Sequence, residues 1–118
     1  FVKTIIAGSR SITDMQYVEG AVKRSQFTIT EIVSGGAKGI DTLAIIYAQQ
    51  QHIPLIIMRA NWDQYGKSAG FRRNGEMAKY ADALIAIWDG QSRGTLNMIN
   101  VAKERGLKVY TSFLGDFE

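Results

Sequence analysis

The chain has 118 residues, of which 46% are apolar and 21% are charged, and its formal net charge is +3. These values fit one ordinary globular domain and exclude a disordered chain, and the charge is too small for a dedicated DNA-binding surface. The absence of Cys and the single His exclude disulfides, thiol catalysis and the usual zinc sites. We therefore expect one domain over residues 1–118, with no metal and no cofactor.

Short runs rich in β-branched residues alternate with amphipathic segments along the chain. In chain order they predict a strand over 2–7, a helix capped by Thr13 or Asp14 that ends near Ser25, a strand over 31–33, a helix over 41–51, a strand over 54–58, a helix over 69–80, a strand over 83–87, a helix over 95–105 and a strand over 108–111. The strands are apolar in succession, which is typical of strands buried on both faces. The alternation predicts an α/β Rossmann-like three-layer sandwich, with an open, mostly parallel five-stranded sheet and helices on both faces.

The loops that follow the strands carry the unusual residues. Right-handed crossovers place these loops at one edge of the sheet, and ligands bind there at the point where the strand order reverses. If the order is 3-2-1-4-5, that point lies between strands one and four. The loops 8–10 and 89–95 then face each other across a crevice, with the turn over 35–39 beside them.

The loop Ser34-Gly35-Gly36-Ala37-Lys38-Gly39-Ile40-Asp41 has the composition of a phosphate-binding turn. Its three glycines let successive N–H groups point into one concavity at a helix N-terminus, and Lys38 can reach the same position. The spacing matches neither GxxxxGK(S/T) nor GxGxxG. The alternative interpretation is a glycine-rich turn in which Asp41 caps the following helix.

Three other loops combine glycine with residue types that bind anions. Gly8-Ser9-Arg10 either supplies hydrogen-bond donors to a bound anion or is a plain turn. The long connection over 60–74 brings cations close to Trp62, Tyr65 and Phe71. The alternative interpretation is that these aromatic rings only cover the edge of the sheet and that the arginines are solvated. Asp89-Gly90-Gln91-Ser92-Arg93-Gly94-Thr95 precedes a helix N-terminus.

These loops define a candidate site for a nucleotide, with phosphate on the glycine turns and aromatic or arginine side chains on the base. No catalytic residue is assigned. The candidate ligand-binding residues are Gly8, Ser9, Arg10, Ser34, Gly35, Gly36, Ala37, Lys38, Gly39, Asp41, Trp62, Lys67, Arg73, Asn74, Asp89, Gly90, Ser92, Arg93, Gly94 and Thr95.

Six motifs, in order along nearly the whole chain, resemble the SLOG superfamily, which unites the DprA/Smf DNA-processing proteins with the LOG cytokinin-activating enzymes. The motifs are Gly8-Ser9-Arg10, the loop 34–41, Gly66-Lys67-x-Ala69-Gly70, Arg73-Asn74-x-x-Met77, Ala81-Asp82-Ala83-Leu84 and Trp88-Asp89-Gly90-x-Ser92-x-Gly94-Thr95. Among SLOG proteins, the chain most resembles the small stand-alone YspA-like branch. The resemblance implies a Rossmann-like sheet that binds nucleotides or nucleotide-derived ligands.

The same resemblance bears on catalysis. Some SLOG proteins cut the N-glycosidic bond of a nucleoside 5′-monophosphate, and these hydrolases carry PGGxGTxxE and an Arg-Lys-x-x-Met helix. This chain has Gly94-Thr95 and Arg73, but Met98 stands at the glutamate position, so the group that would act as base or stabilise charge at the ribose is missing. Three hypotheses follow: nucleotide binding as a sensor or processing domain, a nucleotide hydrolase with Asp89 or Glu76 as base, and DprA-like binding of single-stranded nucleic acid.

Partners and location follow from the same observations. No apolar run approaches the roughly 20 residues of a membrane span, so we expect a cytoplasmic protein without a membrane partner. The expected partner is a nucleotide or a nucleotide-derived small molecule. The resemblance also allows a homodimer, while the small net charge does not favour nucleic acid.

Overall fold

The computed structural model describes residues 1–113, so the last five residues of the predicted domain lie outside the described part. A five-stranded sheet with the order β3-β2-β1-β4-β5 forms the middle layer, and all four strand pairs are parallel. The strands are β1 (Val2–Gly8), β2 (Ile29–Ser34), β3 (Leu55–Ile57), β4 (Ala83–Trp88) and β5 (Lys108–Phe113). The predicted α/β class is confirmed, and the strand order is the one for which the crevice between strands one and four was expected.

Helices cover both faces of this sheet, as predicted. They are α1 (Met15–Ser25), α2 (Ile40–Gln50), α3 (Trp62–Tyr65), α4 (Ala69–Tyr80) and α5 (Arg93–Glu104). The side chain of Asp14 accepts the N–H of Gln16 and caps α1, one of the two predicted caps. None of the helices within residues 1–113 combines the length and the apolar content that crossing a membrane requires.

The long connection over 60–74 was predicted as a loop that overlaps the predicted helix over 69–80. The helix prediction is confirmed, whereas the loop prediction is wrong for the helical turns that precede this helix. The first half of the connection contains the single turn α3 and a 3-10 turn over Gly66–Ser68, and its second half is already α4. Two local features explain the helical turns. Asn61 caps α3 by accepting the N–H of Gln64, and Ala69 is buried at the start of α4. Arg73 and Asn74 therefore project from a rigid helix.

Two apolar layers enclose the sheet, one on each face. Ile5 and Leu84 pack with residues of α4 and α5, whereas their chain neighbours Ile6 and Ile85 pack with residues of α1 and α2. Successive strand residues point to opposite faces, so a strand covered on both sides needs apolar residues throughout.

A tight backbone junction lies where β1, β4 and α2 meet. The N–H of Ser9 donates to the Ile87 carbonyl oxygen at 3.1 Å, and the N–H of Ile40 donates to the Ser9 carbonyl oxygen at 3.3 Å. A Cβ on Gly8 would lie 2.3 Å from the Ile87 oxygen, and one on Gly39 would lie 2.5 Å from the Ser9 oxygen. A side chain is therefore excluded at Gly8 and at Gly39.

Gly39→Ala tests the junction, because Gly39 has φ +75° in addition to the backbone contact. We expect a loss of about 3 kcal/mol or more in the free energy of unfolding. The matched control is Gly106→Ala: Gly106 has φ +78°, but a Cβ there meets nothing within 4 Å. This control should lose only about 1–2 kcal/mol. Equal losses for the two variants in urea denaturation would contradict the role of the junction.

Candidate functional site

An open cavity of about 490 Å³ lies at the carboxyl edge of the sheet. Ala7 and Gly8 at the end of β1 line one side, and Asp89, which follows β4, lines another. The strand order reverses between β1 and β4, so the cavity lies where an open α/β sheet binds its ligands. We call it the first cavity.

The first cavity brings together thirteen of the twenty predicted ligand-binding residues, so most of the constellation is assembled in space. These are Gly8, Arg10, Ala37, Asp41, Trp62, Lys67, Arg73, Asn74, Asp89, Ser92, Arg93, Gly94 and Thr95. The predicted residues that do not line it are Ser9, Ser34, Gly35, Gly36, Lys38, Gly39 and Gly90. Lining residues that the sequence reasoning did not select are Ala7, Ser11, Gly70, Phe71, Met77 and Met98. That any of these residues binds a ligand remains a prediction.

The glycine-rich loop between β2 and α2 is held mainly by contacts within the protein. The hydroxyl of Ser34 donates to the Asp41 carbonyl oxygen at 2.8 Å and accepts the N–H of Gly36 at 3.2 Å. The N–H of Ala37 donates to the Asp41 carboxylate at 3.2 Å. Two of the N–H groups expected to form an anion-binding concavity therefore already have protein acceptors, and Lys38 is exposed outside the first cavity.

Asp41 and Arg73 meet at this loop. Asp41 does not cap α2: Gly39 occupies the cap position and Asp41 is the second helical residue. Burial raises the pKa of Asp41, while the N–H of Ala37 and the charge of Arg73 oppose that rise. Burial likewise lowers the pKa of Arg73, and the charge of Asp41 opposes it. A Cβ on Gly35 would lie 2.3 Å from Arg73 Nη1 and 2.8 Å from Asp41 Oδ2, so only glycine fits between them.

Arg73 and Asn74 connect the loop to α5. The Nη1 of Arg73 donates to the Gly35 carbonyl oxygen at 2.6 Å, and its Nε donates to Asn74 Oδ1 at 3.1 Å. Asn74 Nδ2 in turn donates to the Gly94 carbonyl oxygen at 3.2 Å and to Asn97 Oδ1 at 2.9 Å. This chain of hydrogen bonds runs from the glycine-rich loop through α4 to α5 along one wall of the first cavity.

The N-terminus of α5 adjoins this wall and also lines the first cavity. Ser92 caps the helix by accepting the N–H of Thr95, and the carboxylate of Asp89 accepts the N–H groups of Gln91 and Ser92 at 2.8 Å each. These backbone donors lower the pKa of Asp89. Ser9 is buried, and its hydroxyl oxygen accepts the N–H of Asp89 at 3.2 Å, which holds the start of this loop in place. The helix dipole makes the N-terminus of α5 favourable for an anion.

Exposed aromatic rings lie at the mouth of the first cavity and thioethers line its floor. Trp62 is 59% exposed and Phe71 is 52% exposed, whereas Met77 and Met98 are 1% exposed. The indole of Trp62 lies over Gly70, where an added Cβ would be 3.4 Å from the ring. Such surfaces suit a flat, partly apolar ring system.

The formal charge of the first cavity is positive. Arg10, Lys67, Arg73 and Arg93 line it, against two carboxylates that already accept backbone N–H groups. Glu76 is not a lining residue; it lies on the exposed side of α4 in a 3.9 Å ion pair with Lys79. Within residues 1–113 there is no cluster of three or more His, Cys, Asp or Glu side chains that could hold a metal ion.

Comparisons with known proteins agree with this architecture. Residues 2–65 match the model of the YAcAr family, the YspA, cpYpsA-related SLOG family. The chain is 33% identical over 117 residues to the Gene 61 protein of Mycobacterium phage D29, covering 91% of this chain and 93% of that protein. An X-ray structure of DNA processing protein A (DprA) from Streptococcus pneumoniae superposes with a TM-score of 0.74 and 24% identity over 94% of this chain. The match spans only 50% of the DprA chain, and it shows likeness of fold.

Asp41 and Asp89 should change stability with pH in opposite directions. The folded-state pKa of Asp89 lies below its usual 3.8, so the stability from its ionised form is present above pH 3.8 and is lost as the pH falls through the folded-state pKa. The folded-state pKa of Asp41 lies above 3.8, so the stability from its protonated form is present below pH 3.8 and is lost as the pH rises through the folded-state pKa.

Urea denaturation of Asp41→Asn and Asp89→Asn at several pH values from about 3 to 7 measures both effects. As the pH rises, the wild type should lose free energy of unfolding relative to Asp41→Asn and gain it relative to Asp89→Asn. Slopes of the same sign for the two variants would contradict the environments described above.

Proposed function

The chain belongs to the YspA, cpYpsA-related SLOG family, and from that premise we propose that it binds a nucleotide or nucleotide-derived ligand in the first cavity. Family membership supports a role connected with nucleotides or nucleic acids in general. The proposal of nucleotide binding rests on one observation: the first cavity combines a helix N-terminus, an excess of cations and exposed aromatic rings.

The phosphate of the ligand fits best at the first turn of α5. Arg93 and Gly94 are the first residues of that helix and line the first cavity, so an anion there meets both a side-chain charge and the helix dipole. Arg10 reaches the cavity from the end of β1. Charge-assisted hydrogen bonds to guanidinium groups are about twice as strong as neutral ones, so these two arginines are the main candidates for phosphate contacts.

The base fits best at the mouth, against the rings of Trp62 and Phe71. Stacking on an exposed ring contributes about 1–3 kcal/mol per base and tolerates any base. The buried thioethers of Met77 and Met98 supply an apolar floor below these rings.

The composition of the floor favours binding without turnover, as in a sensor or processing domain. Met98 occupies the position at which the resemblance to the SLOG hydrolases places a glutamate, and it is buried. The carboxylates of Asp41 and Asp89 accept backbone N–H groups of their own loops, which ties both to the scaffold. A glycosidic hydrolase needs a carboxylate near the sugar to support the developing positive charge.

The direct test identifies the small molecules released by denaturing the purified protein and measures thermal shifts with AMP, GMP, CMP and UMP. A ligand present at about 100 times its Kd adds about 2.7 kcal/mol to the free energy of unfolding, which gives a clear shift. We expect saturable binding. A blank result from both measurements would contradict the proposal.

The same mixtures separate the proposal from its two alternatives. Release of free base or phosphate with multiple turnovers would show that the protein hydrolyses nucleotides, which is the first alternative. A mobility shift of single-stranded oligonucleotides that weakens steeply with salt, without mononucleotide binding, would replace it by nucleic-acid binding.

Arg93→Ala should weaken binding of the nucleoside monophosphate that gives the largest thermal shift by about tenfold or more, because it removes a charged donor at the phosphate position. Arg105→Ala is the matched control: Arg105 is also exposed, but it follows the other end of α5 and does not line the first cavity. Calorimetric titration of both variants measures the difference. Equal affinities would show that the phosphate does not lie at the first turn of α5.

A further inference from the structure

A second cavity, of about 410 Å³, adjoins the first. Residues of α4 line it, together with Arg59 after β3 and Tyr65 at the end of α3. Phe71 and Arg73 line both cavities. The two cavities are therefore neighbours that share one aromatic ring and one guanidinium as their common boundary.

The second cavity is more cationic than the first. Arg59, Arg72, Arg73 and Lys79 line it against the single carboxylate of Glu76, which already pairs with Lys79. In the first cavity the same number of cations faces two carboxylates. An anion entering the second cavity therefore meets a larger uncancelled positive charge.

Arg59 and Arg72 are oriented by neutral groups. Arg59 Nη1 donates to the Gly36 carbonyl oxygen at 3.0 Å. Arg72 Nε donates to the Ser68 hydroxyl at 3.1 Å, and its guanidinium lies 4.5 Å from the centre of the Tyr65 ring. Within residues 1–113 neither guanidinium forms an ion pair with a carboxylate. Arg59 is thus held by one hydrogen bond and Arg72 by one hydrogen bond and one ring contact, and both keep their charges uncancelled.

Fixed cations without counter-charges bind anions at a low cost in side-chain entropy. Resting on the proposed function, we propose that the second cavity binds the second phosphate-bearing unit of a dinucleotide whose first nucleotide occupies the first cavity. The phosphate that links the two units then lies on the second-cavity side of Arg73, where Arg59 and Arg72 also line the wall, and Phe71 offers its 52% exposed ring at the boundary. The ligand class is a dinucleotide, because the two cavities provide one place for each unit.

Calorimetric titration compares AMP, GMP, CMP and UMP with the linear dinucleotides pApA, pGpG, pCpC and pUpU. We expect the dinucleotide of the preferred base to bind at least about tenfold more tightly than its monophosphate, because it gains charge-assisted contacts in the second cavity. Diadenosine diphosphate, with its 5′–5′ linkage, identifies which linkage fits, and tighter binding of either kind of dinucleotide supports the proposal.

Arg72→Ala then locates the effect. Arg72 is exposed and lines only the second cavity, so the variant should bind the dinucleotide no more tightly than the monophosphate and should keep wild-type affinity for the monophosphate. Arg72→Gln provides the same test if the alanine variant does not fold. Arg105→Ala, outside both cavities, should retain the dinucleotide preference.

The outcomes separate this proposal from the proposed function. If monophosphates bind but no dinucleotide binds more tightly, the second subsite is overturned and the proposed function stands. The same conclusion follows if the Arg72 variant loses affinity for the monophosphate and for the dinucleotide equally. Failure of all mononucleotides and dinucleotides to bind overturns both. A single-stranded decamer that binds a further tenfold more tightly than the dinucleotide, with a steep salt dependence, shows that the cavities hold a longer strand and overturns the dinucleotide.

Discussion

The guanidinium of Arg73 is half-buried, and the wall of the first cavity depends on how this cation is held. A cation withdrawn from water needs acceptors close by, because an unsatisfied buried charge costs several kcal/mol. The Gly35 carbonyl oxygen and the Asn74 side chain supply those acceptors, and Asp41 supplies an opposing charge. Satisfying this one side chain fixes the glycine-rich loop against α4, and Asn74 extends the connection to α5. The shape of the wall thus follows from the internal requirements of a single cation.

The fold could be predicted from sequence because its signals are local. Consecutive apolar β-branched residues specify strands covered on both faces, and the glycine loops mark where those strands end. The helical turn α3 could not be predicted in this way, since four residues are too few to show a helical period. The direction of a side chain also depends on tertiary contacts. Ser9 and Ser34 have the chemistry of ligand donors, yet they are buried and bond the backbone of neighbouring loops, and nothing local marks Arg59 as a lining residue of a cavity.

Acidic and basic side chains have different structural roles around the two cavities. Asp41 and Asp89 accept backbone N–H groups and so complete the loops in which they stand. Arg59 and Arg72 are oriented by neutral groups and keep their charges uncancelled. This division explains how a chain with a formal net charge of only +3 presents a cationic surface at one edge of its sheet. The carboxylates of Asp41 and Asp89 are used within the scaffold, and most of the surface charge around the two cavities is left to the arginines and lysines.

The junction of β1, β4 and α2 is built from main-chain atoms around Gly8, Ser9 and Gly39, and the side chains at the mouth take no part in it. Replacing an exposed residue such as Trp62 therefore changes the lining of the first cavity without altering the contacts that hold the strands and helix together. The lining of the first cavity and the contacts that set the fold are therefore largely separable in this architecture. A few exposed substitutions can change this lining while the scaffold is kept, which makes the fold a practical starting point for engineering binding surfaces.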